Sequence, residues 1–126
     1  MDKCLVDTDV LIWYLRGRPE TVELLTQAAD QLYLAVSVIS RTEILLGMKE
    51  KERSATISLL DSLSACTITT QIADRAGELI RKWRDKGMVV TIPDALIAAT
   101  VIDQDIALLT YNRKHFPMAE ISFYQA

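Results

Sequence analysis

The chain has 126 residues, half of them apolar and 25% charged, with a formal net charge of −3. That size suits one domain, residues 1–126, around one core, and the acidic balance argues against a protein that holds duplex DNA through a broad basic surface. Nucleic acid stays open as a transient substrate. No stretch is apolar enough for long enough to span a membrane, and the opening Met-Asp-Lys does not read as a secretory leader. Two cysteines, Cys4 and Cys66, make no disulfide framework, so the expectation is a reduced, cytoplasmic protein.

Cys4-Leu5-Val6 reads as a buried parallel strand. It stops at Asp7-Thr8-Asp9, and apolar residues resume in helical spacing over Val10 to Leu15. Two carboxylates and a hydroxyl therefore sit where a central strand hands over to a helix. In open α/β sheets, ligands bind at the carboxyl ends of the strands. The plainer role for Asp7 or Thr8 is a helix cap, but a cap needs one such residue and three are present. Gly17 and Pro19 stop this helix. Glu20 to Gln31 follows as a helix with Val22, Leu24, Leu25, Ala28 and Ala29 on one stripe.

Leu32 to Val38 reads as a strand, Ser40 to about Arg53 as a helix, and Ser54 to Ala65 as another. A short strand is expected over Cys66 to Thr69, then a long amphipathic helix over Gln71 to Lys86 closed by Gly87. Val89 to Ile92 runs extended into Pro93. Asp94 to about Ile102 is apolar on nearly every side, the mark of a buried helix. Ala107 to Thr110 is a strand, and Ile121 to Tyr124 a final edge strand. Strands alternating with helices imply an α/β fold, with a mostly parallel sheet of four to five strands between helical layers.

Two further acids share the setting of Asp7. Glu43 lies in Ser40-Arg41-Thr42-Glu43, which also fits a capping box. Gly47, one turn on, costs ~1 kcal/mol against Ala inside a helix and suggests a close approach there. Asp94 follows Thr91-Ile92-Pro93, which also fits a simple helix start with Thr91 as cap. All three acids lie at strand-to-helix junctions among apolar residues, and in a parallel sheet those junctions share one edge. Carboxylates converging there repel, by ~4 kcal/mol for two charges 4 Å apart at an effective dielectric near 20. A divalent cation relieves this, and oxygen-only ligands select a hard ion such as Mg²⁺ or Mn²⁺. The lone histidine, His115, and the two cysteines cannot build a zinc site. Asp103 and Asp105 read as a solvated turn. Three basic clusters, Lys49/Lys51/Arg53, Arg81/Lys82/Arg84/Lys86 and Arg113/Lys114/His115, are solvated faces or phosphate contacts.

On these residues the chain resembles the PIN-domain family, specifically its VapC-type ribonuclease toxins of type II toxin–antitoxin pairs. The likeness runs through the whole chain. It rests on Leu5 to Ile12, Ser40-x-x-Glu43-x-x-x-Gly47, Pro93 to Thr100, Leu109-Thr110-Tyr111-Asn112 and Phe116. It implies a PIN-like three-layer sandwich with Asp7, Glu43 and Asp94 as an acidic triad, and cleavage of RNA with Mg²⁺, for which Mn²⁺ substitutes. Asp7 and Asp94 would hold the ion, Glu43 would complete its shell or act as base, Thr8 would orient a carboxylate or water, and Thr110 would brace the site. Many relatives carry a further acid where this chain has Asn112. An amide can hold a water or a ligand but adds no charge to a second metal site. The resemblance also implies a homodimer and an inhibitory antitoxin whose tail lies in a groove by the site. Trp13, Tyr14 and Leu15 read either as part of such a groove beside Ile44 and Leu45 or as ordinary core packing of two short helices.

Two rivals from other classes fit less of the chain. A receiver-type phosphoacceptor domain needs an aspartate ending a middle strand and a lysine ending a late one, where this chain has Ser37-Val38-Ile39-Ser40 and Thr110. An Asp-x-Asp phosphatase matches Asp7-Thr8-Asp9 but follows it with Gly-Thr, where this chain has Val10-Leu11.

Overall fold

Cys4, Leu5 and Val6 are fully buried at the centre of the computed structural model, which describes residues 2–125. They belong to strand β1 (Lys3–Val6), which pairs in parallel with β2 (Tyr33–Ser37) on one side and β4 (Ala107–Leu109) on the other. Beyond β2 lies β3 (Ser64–Cys66), giving the order β3-β2-β1-β4, all parallel. The register sets Leu5 opposite Ala35 and Leu108. Successive side chains of a strand face opposite ways. Leu5 accordingly packs with Ala35, Cys66 and Leu108, while Cys4 and Val6 pack with Val36, Ala107 and Leu109 on the other face.

Each face is covered by helices, as a parallel sheet requires. The Leu5 face meets α5 (Thr70–Asp85) and α6 (Ile92–Gln104) through Ile72, Ala76, Ile97 and Ala98. The opposite face meets α1 (Thr8–Leu15), α2 (Pro19–Gln31), α3 (Val38–Gly47) and α4 (Arg53–Asp61) through Val10, Leu25, Ile44 and Leu60. This is the expected three-layer α/β sandwich. The expected stops after α1 and α5 are also met: Gly17 and Gly87 adopt φ of +76° and +81°, where a Cβ would be strained.

Five details differ from the sequence expectation. The helix expected to run from Ser40 to Arg53 starts at Val38 and ends at Gly47, before a 3-10 turn over Glu50–Glu52. Ser37 is its N-cap and accepts from Ile39 N at 3.2 Å. Ser40 therefore lies inside the helix and is no capping box with Glu43. Gly47 is the last helical residue, with open space where a Cβ would stand, so no close approach demands it. The strand expected over Cys66 to Thr69 lies earlier, because Thr69 leaves the ladder to cap α5 and accepts from Ile72 N at 3.1 Å. The final strand over Ile121 to Tyr124 shrinks to one bridge between Leu108 and Phe123.

Ser37→Ala should cost about 1 kcal/mol of stability in urea unfolding, the usual loss for a serine N-cap. An unchanged midpoint would show that α3 starts elsewhere.

Candidate active site

The strand order places a topological switch point between β1 and β4, since the chain winds from β1 outward to β3 and then returns to the other side of β1. Ligand crevices open at the carboxyl ends of strands at such points. Asp7 stands there, only 8% exposed. Its backbone N donates to Leu109 O at 2.9 Å, which carries the ladder one residue past β1. Its carboxylate is held on both oxygens: Thr8 N donates to Oδ1 at 2.8 Å and Thr110 Oγ1 to Oδ2 at 2.8 Å. The first bond makes Asp7 the N-cap of α1, so the capping role and the site role coincide.

Thr8 joins the next acid to this core. Its hydroxyl donates to Glu43 Oε1 at 2.7 Å and pairs with the Ser40 hydroxyl at 2.8 Å. The Ser40–Glu43 pattern thus serves contact between α1 and α3 rather than a helix start. Glu43 itself is exposed. Asp94 enters from the first turn of α6, below the Thr91 cap, which accepts from Asp94 N at 3.3 Å. Its Oδ2 lies 3.5 Å from His115 Nδ1.

Two residues near these acids were not foreseen as members. Asp9 accepts from Val10 N at 2.8 Å, Tyr111 N at 3.1 Å and Asn112 Nδ2 at 3.0 Å, tying the start of α1 to the segment after β4. His115, set aside because one histidine cannot make a zinc site, touches Asp94 instead. The Asp-x-Asp spacing was the available signal for Asp9; nothing local pointed to His115. Asn112 has two partners here: its N donates to Thr110 Oγ1 at 3.0 Å and its amide to Asp9.

The electrostatics follow from burial. Desolvation pushes the Asp7 carboxyl up to about 6; the Asp9 charge adds to this, the bonds from Thr110 and Thr8 oppose it, and Asp94 pushes upward again. Asp9 is also raised, chiefly by burial, against the bonds from Val10 and Tyr111. Three carboxylates thus press on one point. The donor set is all oxygen, the chemistry of a hard divalent ion. Among the described residues no three His, Cys, Asp or Glu side chains gather as a ready-made cage. Mg²⁺ fits this arrangement, because it is commonly held by one or two carboxylates and keeps several waters.

Beside Glu43, a groove of about 600 Å³ runs between α1 and α3, with Ile12, Leu15, Ile44 and Gly47 in its walls and Lys49 and Lys51 at its rim. Only Leu15 and Ile44 of the expected docking set line it. Trp13 and Tyr14 are half-buried rather than exposed. Trp13 lies under the guanidinium groups of Arg18, 3.7 Å from the ring centre, and Arg16, 5.1 Å away.

Comparison with known proteins places this geometry. A model of the PIN domain matches residues 4–121. The ribonuclease VapC10 of Mycobacterium tuberculosis is 42% identical over 116 residues, which cover 92% of this chain and 87% of that protein. A toxin–antitoxin complex from Klebsiella pneumoniae contains a chain of similar structure, with a TM-score of 0.80, 28% identity, and coverage of 98% of this chain and 99% of that one. DNA-bound VapBC from Salmonella typhimurium shares the fold, with a TM-score of 0.85 at 20% identity over 98% of each chain.

Asp7 makes the metal-free protein's stability depend on pH. An acid whose pKa rises on folding binds its proton more tightly folded than unfolded. Its contribution is full below the unfolded value and is lost as pH climbs through the folded one. Between the ordinary 3.8 and about 6 this amounts to about 3 kcal/mol. In chelator, Asp7→Asn should therefore be more stable than the wild type by about that amount at pH 7, with the gap closing near pH 4. A gap in urea unfolding that does not vary with pH would show that this carboxyl is not desolvated. Asn112→Asp should lose about 2 kcal/mol in chelator, because it exchanges a donor to the Asp9 carboxylate for a second acid. Equal unfolding midpoints would show that the Asn112–Asp9 bond does not form in solution.

Proposed function

The chain belongs to the PIN-domain family, and from that premise we propose that it is a divalent-metal-dependent endoribonuclease, the toxin of a VapC-type toxin–antitoxin pair. The observation that carries this is the meeting of distant acids after the end of β1: the Asp94 charge acts on buried Asp7, and Thr8 beside it donates to Glu43. The ribonuclease relative at 42% identity supports RNA as the substrate. No feature favours the phosphoacceptor or phosphatase readings: β2 ends in Ser37, which is engaged as a helix cap.

Asp7 and Asp94 would hold Mg²⁺, or Mn²⁺ in its stead. When bound, such an ion neutralises converging negative charge and lowers the pKa of a coordinated water. The chain's own groups supply the rest. Thr110 and the Thr8 backbone fix both oxygens of Asp7, so the carboxylate needs no reorganisation to meet a cation. Glu43, exposed and oriented by Thr8, completes the shell or takes the proton of the attacking water. Asn112 and Asp9 keep the segment after β4 against α1.

The enzyme acts in the cytoplasm and is restrained there by an antitoxin. The apolar groove beside Glu43 is where we place the antitoxin's tail, with a guanidinium or ammonium group reaching the acids. Such a cation can replace the metal's charge, so inhibition weakens as Mg²⁺ rises. We also place a homodimer contact on exposed apolar side chains, of which Leu46, Val89 and Ile92 are 85%, 86% and 66% exposed.

Asp7→Asn and Asp94→Asn should each lower RNA cleavage in Mg²⁺ by ~100-fold or more while leaving a folded chain; Glu43→Gln should lower it comparably. Expression of the wild-type chain alone should arrest growth, and co-expression of the neighbouring antitoxin gene should relieve the arrest. Wild-type cleavage by either aspartate variant overturns the site. Neither arrest nor cleavage from the wild-type chain overturns the function.

A further inference from the structure

Thr110, whose hydroxyl touches Asp7, is followed at once by Tyr111-Asn112-Arg113-Lys114. An open cavity of about 640 Å³ lies along this segment, with Leu24 and Tyr124 among its walls. The catalytic reading assigns nothing to it.

The side chains of the segment differ in how free they are. Arg113 is committed: its Nη2 donates to Tyr124 O at 3.1 Å, and its guanidinium lies 5.0 Å from the centre of the Phe123 ring. Asn112 is bound to Asp9. Tyr111 is held at two points. Its backbone N donates to Asp9 Oδ2 at 3.1 Å, and its hydroxyl pairs at 2.7 Å with that of Thr21, which is fully buried in α2. The residue is nonetheless 43% exposed. With the hydroxyl end tied down, that exposure falls on the ring. A fixed aromatic surface thus stands ~3.8 Å along the backbone from a residue that touches the catalytic acid. Lys114, exposed, provides a positive charge at the same edge.

A rigid aromatic surface with a cation beside it suits an unpaired nucleotide. Bases stack on aromatic rings whatever their sequence, and lysine meets the phosphate as a point charge. A base inside a duplex has no free face to offer. We propose that Tyr111 is a stacking platform for the unpaired base next to the scissile phosphate of a single-stranded RNA, with Lys114 contacting that nucleotide's phosphate. This rests on the ribonuclease reading and extends it to the form of RNA recognised.

The test uses the full chain, a short single-stranded RNA substrate and a 2′-O-methylated oligonucleotide of the same sequence that resists cleavage. Tyr111→Leu should raise KM for the RNA and Kd for the analogue by ~10-fold, with kcat changed less than ~2-fold. Tyr111→Phe, which keeps the ring and loses the Thr21 bond, should fall between wild type and Tyr111→Leu, within ~3-fold of wild type in KM and Kd. Lys114→Gln should reduce the slope of log Kd against log salt by about 0.7. Wild-type KM and Kd in Tyr111→Leu overturn the proposal. So does an equal loss in Tyr111→Phe and Tyr111→Leu, which would make Tyr111 a brace for α2. Weakened antitoxin binding by Tyr111→Leu with unchanged oligonucleotide binding would assign the surface to a protein and overturn it too. If the wild-type chain cleaves no RNA, the ribonuclease reading falls, and the Kd values for the analogue still decide the role of Tyr111.

Discussion

The site depends on holding one carboxylate, that of Asp7, at the end of a strand with no exposed side. Transfer of an ionised acid into such a place is costly unless hydrogen bonds or opposite charge offset it. Here the offset comes from two directions. The first turn of α1 gives a backbone N–H and the positive end of a helix dipole. The end of β4 gives the Thr110 hydroxyl. Neither is sufficient, since burial and the charges of Asp9 and Asp94 still hold the group near 6. The remaining imbalance is what the proposed divalent cation would relieve.

The topology makes that arrangement available. Because β1 is central and β4 joins it only after the chain has built β2 and β3, residues 103 positions apart in sequence become hydrogen-bond partners at one crevice. Two bonds from the segment after β4 to Asp9 close the same gap a second time.

Several residues have a structural and a chemical role at once. Asp7 caps α1 and faces the crevice. Thr8 opens α1 and orients Glu43. Thr91 caps α6 and so fixes the turn that carries Asp94. Sharing of this kind is economical in a chain of 126 residues. It also means that a plain capping reading and a catalytic reading of such residues are compatible.

Much of this was legible in the sequence. The apolar run Cys4-Leu5-Val6, its break at Asp7-Thr8-Asp9, the caps at Thr91 and Gly87 and the buried helix after Pro93 are local signals. Local spacing is enough to fix strand, helix and the junctions between them. The expected grouping of Asp7, Glu43 and Asp94 came from the rule that junctions of a parallel sheet share an edge, but no strand precedes α6, so Asp94 stands at a helix start rather than at such a junction. Local signals could not settle choices between near-equal partners. Ser37 and Ser40 are both able to cap α3, and only the length of β2 assigns the cap to Ser37, releasing Ser40 to meet Thr8. The segment over Ile121 to Tyr124 has the composition of a strand, but pairing depends on the backbone it meets, and it makes one bridge to β4. His115 meets Asp94, and Asn112 meets Asp9, across gaps that no periodicity spans. Such contacts are made by the return of the chain to β1, and they exist only once the sheet has closed.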